Sequence, residues 1–380
     1  MKTTDRMLYL DLLRGFAILG ILISNLPAIA EPPYGMKINY TDISSWVTSL
    51  GYFFVTGKFF LIFSFVFGYG FTILIKSSES KGLDTKRIFF RRLLGLFLFG
   101  IAHACFFFNG DILVTYSILG LFLFLFKDAD FKKILKISFI FWIISALFYG
   151  MIGLVAHYGI MEDPSLTKAL TEQSIQGYLG DFVSVCKQRM TELKLTFPFI
   201  ILFNWPSAFS LFLIGLWMGR QNMLLDPDSF FKRFRGYWVY IFFIGAIFNG
   251  LFVWGNLNSL NYIQGFLTGA SLAVGGISFA LLYCYGLLKF SKSNHFVLNL
   301  LKTAMAAVGS MSLTNYLMHS ILLAIFFNGW GFGFYGKLPP ETYMLLVFPI
   351  YGFNLIFSVM WKKYFSMGPF EMILRKITYG

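Results

Sequence analysis

Charged residues and cysteines are both scarce in this 380-residue sequence. Asp, Glu, Lys and Arg together make up 13% of the chain, whereas soluble domains use roughly 25%. So few charges cannot cover the surface of a soluble protein of this length, which excludes that class. The three cysteines form no CxxC pair, so the sequence indicates neither a disulfide framework nor a zinc site, and we expect no bound metal.

Hydrophobic residues make up 57% of the chain and are grouped in long runs. A helix needs about 20 apolar residues to cross a bilayer. The sequence therefore predicts an all-α fold, a polytopic integral membrane helical bundle of about ten transmembrane helices that forms a single transmembrane domain over residues 1–380. The predicted spans are residues 8–30, 46–75, 87–108, 111–126, 134–157, 195–219, 237–255, 264–288, 303–328 and 343–361.

Basic residues outnumber acidic ones, with 31 Lys and Arg against 18 Asp and Glu. Most of them lie in short segments that share one side of the membrane if the N-terminus is cytoplasmic. The positive-inside rule therefore predicts cytoplasmic N- and C-termini. Because this rule already explains the charge, we expect no nucleic-acid partner.

Two segments lie outside the predicted spans. Residues 158–194 are predicted to form a long external loop, which is either an extracellular lid or a solvated linker. Residues 366–380 are predicted to form a cytoplasmic amphipathic tail. Glu371 and Arg375 lie four residues apart there, and apolar residues share another side, which is typical of a short interfacial helix in contact with membrane lipids.

Polar residues interrupt the first and third spans at the same interval. Arg14 and Asn25 are eleven residues apart, as are Arg92 and His103, which puts each pair on one helix face with a rise of about 16 Å. Asp11 lies one turn before Arg14. The two faces are predicted to line one polar path, although the sequence does not show that they share a cavity.

The arginines near the predicted cytoplasmic side have two interpretations. Arg14, Arg91 and Arg92 are either interfacial anchors or a site for the phosphates of a nucleotide-bearing cofactor, because guanidinium groups bind phosphate in a bidentate manner. Positive-inside anchoring alone would also place arginines there, so both interpretations stay open.

His103 lies in the outer half of a span, where neither anchoring nor topology requires an imidazole. It is a candidate general base, with a histidine packed against a neighbouring helix as the alternative and metal ligation as a third reading. Asp111 follows closely and would either orient His103 or cap the fourth span.

Further polar residues lie in the second and ninth spans. Lys58 has no compensating charge in its own span, and it needs a partner such as Asp11 or Asp111 or a wet cavity. Asn315 and His319 lie at i,i+4 in the ninth span, where they either join helices or line the substrate site together with Asp11 and Lys58.

Several runs resemble a known family along nearly the whole chain. They are Leu10 to Gly20 (LDLLRGFAILG), Gly57 to Gly68 (GKFFLIFSFVFG), Arg91 and Arg92 followed by His103 and by Gly110 to Leu113 (GDIL), Leu313 to Tyr316 (LTNY), and Gly368 to Glu371 (GPFE). These runs resemble the YeiB-type family of bacterial membrane proteins, domain of unknown function 418. The resemblance implies a multi-pass protein of the bacterial cytoplasmic membrane.

That family in turn distantly resembles the transmembrane acyltransferases, which include the acyltransferase-3 and heparan N-acetyltransferase types. The resemblance implies acyl-CoA as acyl donor and an extracytoplasmic acceptor, such as a surface glycan, a wall polymer or a lipid-linked sugar. In the acyltransferase-3 pattern a histidine follows the first arginine by eleven residues, and here that position holds Asn25. Because asparagine cannot accept a proton near neutral pH, either His103 supplies the base or catalysis has been lost.

The function predicted on this basis is a membrane-embedded acyltransferase. Arg14, Arg91 and Arg92 would bind the CoA phosphates, His103 oriented by Asp111 would deprotonate the acceptor, and Asn25 or Lys58 would stabilise the oxyanion. A transporter or channel for a small solute or lipid is one alternative, and a non-catalytic lipid-binding or scaffold protein is another. The sequence does not determine the oligomeric state.

Overall fold

The computed structural model describes residues 3–34, 39–157, 164–225, 231–232, 234–258, 261–293 and 295–380. Within these ranges every regular element is a helix, which confirms the predicted all-α fold. The α-helices are α1 (Thr3–Ala30), α2 (Asp42–Phe54), α3 (Phe59–Glu79), α4 (Thr85–Phe106), α5 (Leu113–Phe124), α6 (Phe131–His157), α7 (Pro164–Tyr178), α8 (Phe182–Phe199), α9 (Trp205–Arg220), α10 (Trp238–Leu257), α11 (Tyr262–Ser291), α12 (Phe296–Ser310), α13 (Ser312–Phe327), α14 (Pro340–Tyr343), α15 (Val347–Trp361) and α16 (Pro369–Tyr379). A π-helical turn, Ile200–Asn204, joins α8 to α9.

The described residues contain eight helical stretches long and apolar enough to cross a membrane, or up to nine if one bent pair counts as a single span. This number is lower than the predicted ten for two reasons. The fourth predicted span is α5, which has only 12 residues. The ninth, residues 303–328, is not one straight helix, because α12 and α13 meet at an angle of 89°.

The bend between α12 and α13 occurs at Met311. Its backbone leaves the helical region, with φ −118° and ψ 39°. The Asn315 side-chain amide donates to two carbonyls at the bend, Val308 O at 3.1 Å and Met311 O at 3.0 Å, which also accept from backbone N–H groups. It also donates to Ser358 Oγ on α15 at 2.9 Å. Asn315 therefore stabilises the bend and joins three helices.

Helix α1 lies in the middle of the bundle and contacts α3, α12 and α13. Two glycines allow it to approach α12 closely. A Cβ atom added to Gly15 would lie 2.1 Å from Met305 O, and one added to Gly309 would lie 1.8 Å from Asp11 O. Only glycine fits at such a backbone contact. This contact positions the part of α1 that carries Arg14.

The segment predicted as a long loop, 158–194, is largely helical. Residues 158–163 lie outside the described residues, and most of the remainder forms α7 and part of α8. Arg189 on α8 is buried and donates to Phe106 O at the end of α4 at 2.7 Å. The segment is therefore packed against the bundle, whereas a solvated linker would not bury an arginine. The external position of the segment stays a prediction.

Candidate functional site

A cavity of about 480 Å³ lies between α1, α3, α4, α5, α12, α13 and α16. It occupies the end of the bundle where α3 ends and α4 begins, which is the predicted cytoplasmic end. Most lining residues are apolar or aromatic, and the charged ones are Arg14, Lys81, Arg92, Glu371 and Arg375. Four cations and one carboxylate on largely apolar walls favour a ligand that combines an anionic group with an apolar part.

Arg14 and Arg92 both line this cavity, from α1 and α4 respectively. Arg14 Nη1 donates to Asp11 Oδ1 at 3.0 Å, so Asp11 orients Arg14 and neutralises part of its charge. Arg92 has no hydrogen bond or ion pair with any described residue, and its side chain stays exposed. A guanidinium group that forms no ion pair with a described residue, in a membrane-spanning helix, points to an anionic ligand.

Arg91 is placed differently from Arg92. Its Nε donates to Ile377 O on α16 at 2.7 Å, and it is not among the residues that line the cavity. Successive helix residues point about 100° apart, so only one of two adjacent arginines faces a given side. The structure thus brings together two of the three arginines predicted to bind a donor, while the third attaches α16 to α4.

His103 and Asp111 form a buried pair. His103 Nδ1 lies 2.8 Å from Asp111 Oδ1, and the two residues are 1% and 5% exposed. An ionised carboxylate only accepts hydrogen bonds, so Nδ1 carries the proton and donates it. Asp111 Oδ2 accepts from Val114 N at 2.8 Å, so the carboxylate also caps the start of α5. This arrangement leaves His103 Nε2 as an acceptor, the state that a general base requires.

Tyr316 on α13 connects the cavity to this pair. Its ring lines the cavity and lies 4.9 Å from the His103 ring between centroids. Its hydroxyl donates to Asp111 Oδ1 at 3.3 Å and accepts from Ile112 N at 3.3 Å. His103 itself does not line the cavity. Tyr316 therefore lines the same cavity as the two arginines and also contacts the histidine–aspartate pair, a link that sequence analysis alone did not identify.

His319 lies one helical turn after Asn315, next to Tyr316. Its ring centroid is 5.4 Å from that of Tyr316. His319 is fully buried, and neither ring nitrogen has a hydrogen-bond partner among the described residues. Asn315 joins helices, whereas His319 is left free for another role.

Lys58 and Asn25 lie away from this centre. Lys58 is fully buried between α2 and α3, and its Nζ donates to Tyr52 O at 2.8 Å. That carbonyl lies in the last turn of α2, where helical partners are missing. The predicted partners of Lys58 are engaged elsewhere, Asp11 with Arg14 and Asp111 with His103. Asn25 does not line the cavity, and its side-chain nitrogen has no partner among the described residues.

The C-terminal helix α16 forms one wall of the cavity. Glu371 accepts from Leu313 N at 2.7 Å and from Thr314 N at 3.2 Å, and Thr314 Oγ1 donates to it at 2.5 Å. These groups begin α13, whose N-terminus attracts a negative charge. The tail predicted as an interfacial helix is thus also attached to the site, and no local sequence pattern indicates this contact.

Replacing Glu371 with alanine is expected to lower the free energy of unfolding by about 1–2 kcal/mol, because three donors at the start of α13 lose their acceptor. Thermal unfolding of the detergent-purified protein measures this effect. Glu79→Ala is the matched control, since Glu79 is an exposed carboxylate at the end of α3. Equal unfolding temperatures for the two variants would contradict the assigned capping role.

Fold and site together define a polytopic helical membrane protein with a positively charged cavity that approaches a buried histidine–aspartate pair. The chain is similar to proteins of the YeiB-type family, in agreement with the resemblance that its motifs carry. The family model described as "Protein of unknown function (DUF418)" matches residues 218–380.

Three relatives match nearly the full length of this chain. "Uncharacterized protein YxaH" of Bacillus subtilis is 28% identical over 99% of this chain and 95% of the relative. "Uncharacterized 39.9 kDa protein in amylase 3'region" of Bacillus acidopullulyticus is 27% identical over 99% and 94%. "Uncharacterized protein YeiB" of Escherichia coli is 26% identical over 98% and 96%. No protein of known structure matches this chain significantly.

Proposed function

We propose that this protein is an acyltransferase of the bacterial cytoplasmic membrane. It takes an acyl group from cytoplasmic acyl-CoA and transfers it to an extracytoplasmic acceptor, such as a surface glycan, a wall polymer or a lipid-linked sugar. One observation carries the proposal: the cavity lined by Arg14 and Arg92 contains Tyr316, whose hydroxyl donates to the carboxylate that orients His103. This connection supports an anion site that shares Tyr316 with a base.

The donor end of this site combines charge and apolar surface. Guanidinium groups of Arg14 and Arg92 bind phosphate oxygens of CoA through charge-assisted hydrogen bonds. The acyl part lies against the aromatic wall that α3 contributes, including Phe63, Phe67 and Phe71. An apolar wall of this kind excludes water, which strengthens the contacts to phosphate and protects the thioester from hydrolysis.

The base of the proposed reaction is His103. Asp111 holds the proton on Nδ1, so Nε2 accepts the proton of the acceptor hydroxyl as its oxygen attacks the thioester carbonyl carbon. When the tetrahedral intermediate collapses, the carbon–sulfur bond breaks, and the departing CoA thiolate takes the proton from Nε2. Histidine and aspartate return to their starting state, and the products are CoA thiol and an ester.

Binding of acetyl-CoA and of a long-chain acyl-CoA to detergent-purified protein tests the donor site by calorimetry. Arg92→Ala is expected to weaken binding by about tenfold to 100-fold, because a hydrogen bond to a charged group contributes about 1.5–3 kcal/mol. Arg87→Ala is the matched control, since Arg87 lies on the same helix, is exposed and does not line the cavity. Equal losses of affinity in both variants would show that the effect comes from the overall positive charge and not from a specific contact of Arg92.

Non-catalytic binding of an anionic lipid is the second candidate function. It is favoured by the position of His103, which lies beside the cavity and not in its lining. A lipid phosphate would occupy the place of the CoA phosphates between Arg14 and Arg92. This function predicts tight binding of anionic lipid, no release of CoA thiol from acyl-CoA, and no effect of His103→Ala on binding.

A further inference from the structure

Three imidazole nitrogens in the buried centre have no hydrogen-bond partner among the described residues. They are His103 Nε2 and both ring nitrogens of His319. The two rings lie against the same tyrosine, with centroids 4.9 Å and 5.4 Å from that of Tyr316. The two histidines are 1% and 0% exposed. Buried polar atoms almost always have partners, and each one without a partner costs about 1–3 kcal/mol.

Several polar groups around Tyr316 are already engaged, whereas the buried Asn354 amide on α15 has no partner among the described residues. Asp111 uses Oδ1 for His103 and Tyr316 and uses Oδ2 for Val114 N. Ser320 Oγ donates to Tyr316 O at 3.3 Å. The Asn315 amide binds carbonyls at the α12–α13 bend. His319 is thus buried without a hydrogen bond to any described residue, although a leucine would fill its place at no polar cost.

We propose that His319 is a second catalytic residue that donates a hydrogen bond to the oxyanion formed during acyl transfer. This inference rests on the proposed function. The two histidines then act on one reacting carbonyl. His103 Nε2 takes the proton from the acceptor hydroxyl, while the electron pair of the carbonyl bond moves to the oxygen and a His319 N–H binds that oxyanion. The electron pair returns to the carbonyl bond when the carbon–sulfur bond breaks, and the CoA thiolate leaves with the proton that His103 had accepted.

This role differs from the assignment that the sequence suggested, which gave oxyanion stabilisation to Asn25 or Lys58. Lys58 Nζ is engaged with Tyr52 O, and no contact links Asn25 to the His103 ring. His319 lies against the same tyrosine as the base, on the helix whose start lines the donor cavity. A donor fixed by packing costs little reorganisation during the reaction, which is the basis of oxyanion stabilisation.

The test measures turnover and stability in the same variants. Acetyl-CoA serves as donor and glucose as acceptor, release of CoA thiol reports turnover, and thermal unfolding in detergent reports stability. His319→Leu is expected to lower kcat by about 10²–10³-fold with the KM for acetyl-CoA unchanged. Its unfolding temperature is expected to stay level or rise, because the variant removes two buried groups without partners. His319→Gln keeps a donor and is expected to recover at least about tenfold of the lost kcat.

The possible outcomes are distinct. Wild-type kcat in His319→Leu overturns the catalytic role of His319 and leaves the acyltransferase proposal intact. A lower unfolding temperature in His319→Leu, with no recovery of kcat in His319→Gln, shows a structural histidine and also overturns the role. No thiol release by the wild-type protein, with His103→Ala indistinguishable from it, overturns the proposed function and this inference with it.

Discussion

Asp111→Asn is expected to lower the rate of acyl transfer by about 10³–10⁴-fold while the protein stays folded. The asparagine amide is similar in shape and can still cap α5 through Val114 N. It no longer requires the proton of His103 to stay on Nδ1, however, because an amide NH₂ group donates to that nitrogen and moves the proton to Nε2. A histidine with its proton on Nε2 cannot accept one from the acceptor. Release of CoA thiol from acetyl-CoA measures the effect.

The double variant makes this prediction sharper. Residues that act as one unit have strongly non-additive effects, so Asp111→Asn combined with His103→Ala is expected to be no slower than His103→Ala alone. Independent, multiplying losses would show that Asp111 acts apart from His103. Such a result would leave the 2.8 Å contact between the two side chains as a purely structural interaction.

Glu192→Leu is expected to lower the free energy of unfolding by about 3–5 kcal/mol, because it removes a buried acceptor from several donors. Glu192 is 2% exposed. It accepts hydrogen bonds from Ser174 Oγ at 2.7 Å, Tyr178 OH at 2.8 Å, Gln188 Nε2 at 3.1 Å and Asn109 Nδ2 at 3.3 Å. These bonds attach α7 and α8 to the segment that precedes Asp111.

Tyr178 remains a donor in this network over the physiological pH range. Burial raises its pKa well above the usual value, and the Glu192 carboxylate raises it further. Thermal unfolding in detergent measures the effect of Glu192→Leu, with Glu172→Ala as the control at an exposed carboxylate on α7. An unfolding temperature of Glu192→Leu close to that of Glu172→Ala would contradict the prediction.

The class of fold was predictable from the sequence because membrane burial imposes long apolar runs, and those runs correspond to helices. The details of the fold that the sequence did not predict depend on tertiary contacts. The 89° bend at Met311 follows no proline and is stabilised by Asn315 across three helices. Helices α7 and α8 are held by the buried carboxylate of Glu192. Composition alone predicts that a carboxylate in this segment lies in a solvated loop.

The candidate site was predictable in part for similar reasons. Periodicity placed Arg92 and His103 on one helix face. In the structure Arg92 lines the cavity that Tyr316 also lines, and the His103 ring lies against Tyr316. The sequence could not separate Arg91 from Arg92, because the direction in which α4 faces its neighbours is set by packing. Nor could it show that Lys58 would bind the Tyr52 carbonyl at the end of α2, because this contact depends on how α2 and α3 pack.

The cavity takes its walls from distant parts of the chain, with Arg14 near one end and Glu371 near the other. During synthesis the walls from α1, α3 and α4 therefore enter the membrane long before α16 can complete them. A fragment limited to residues 218–380, the part that the family model matches, would contain Tyr316 and His319 without Arg14, Arg92, His103 or Asp111. Expressed alone, that fragment would lack both arginines of the proposed anion site and the proposed base, so the proposed site needs more of the chain than the matched region.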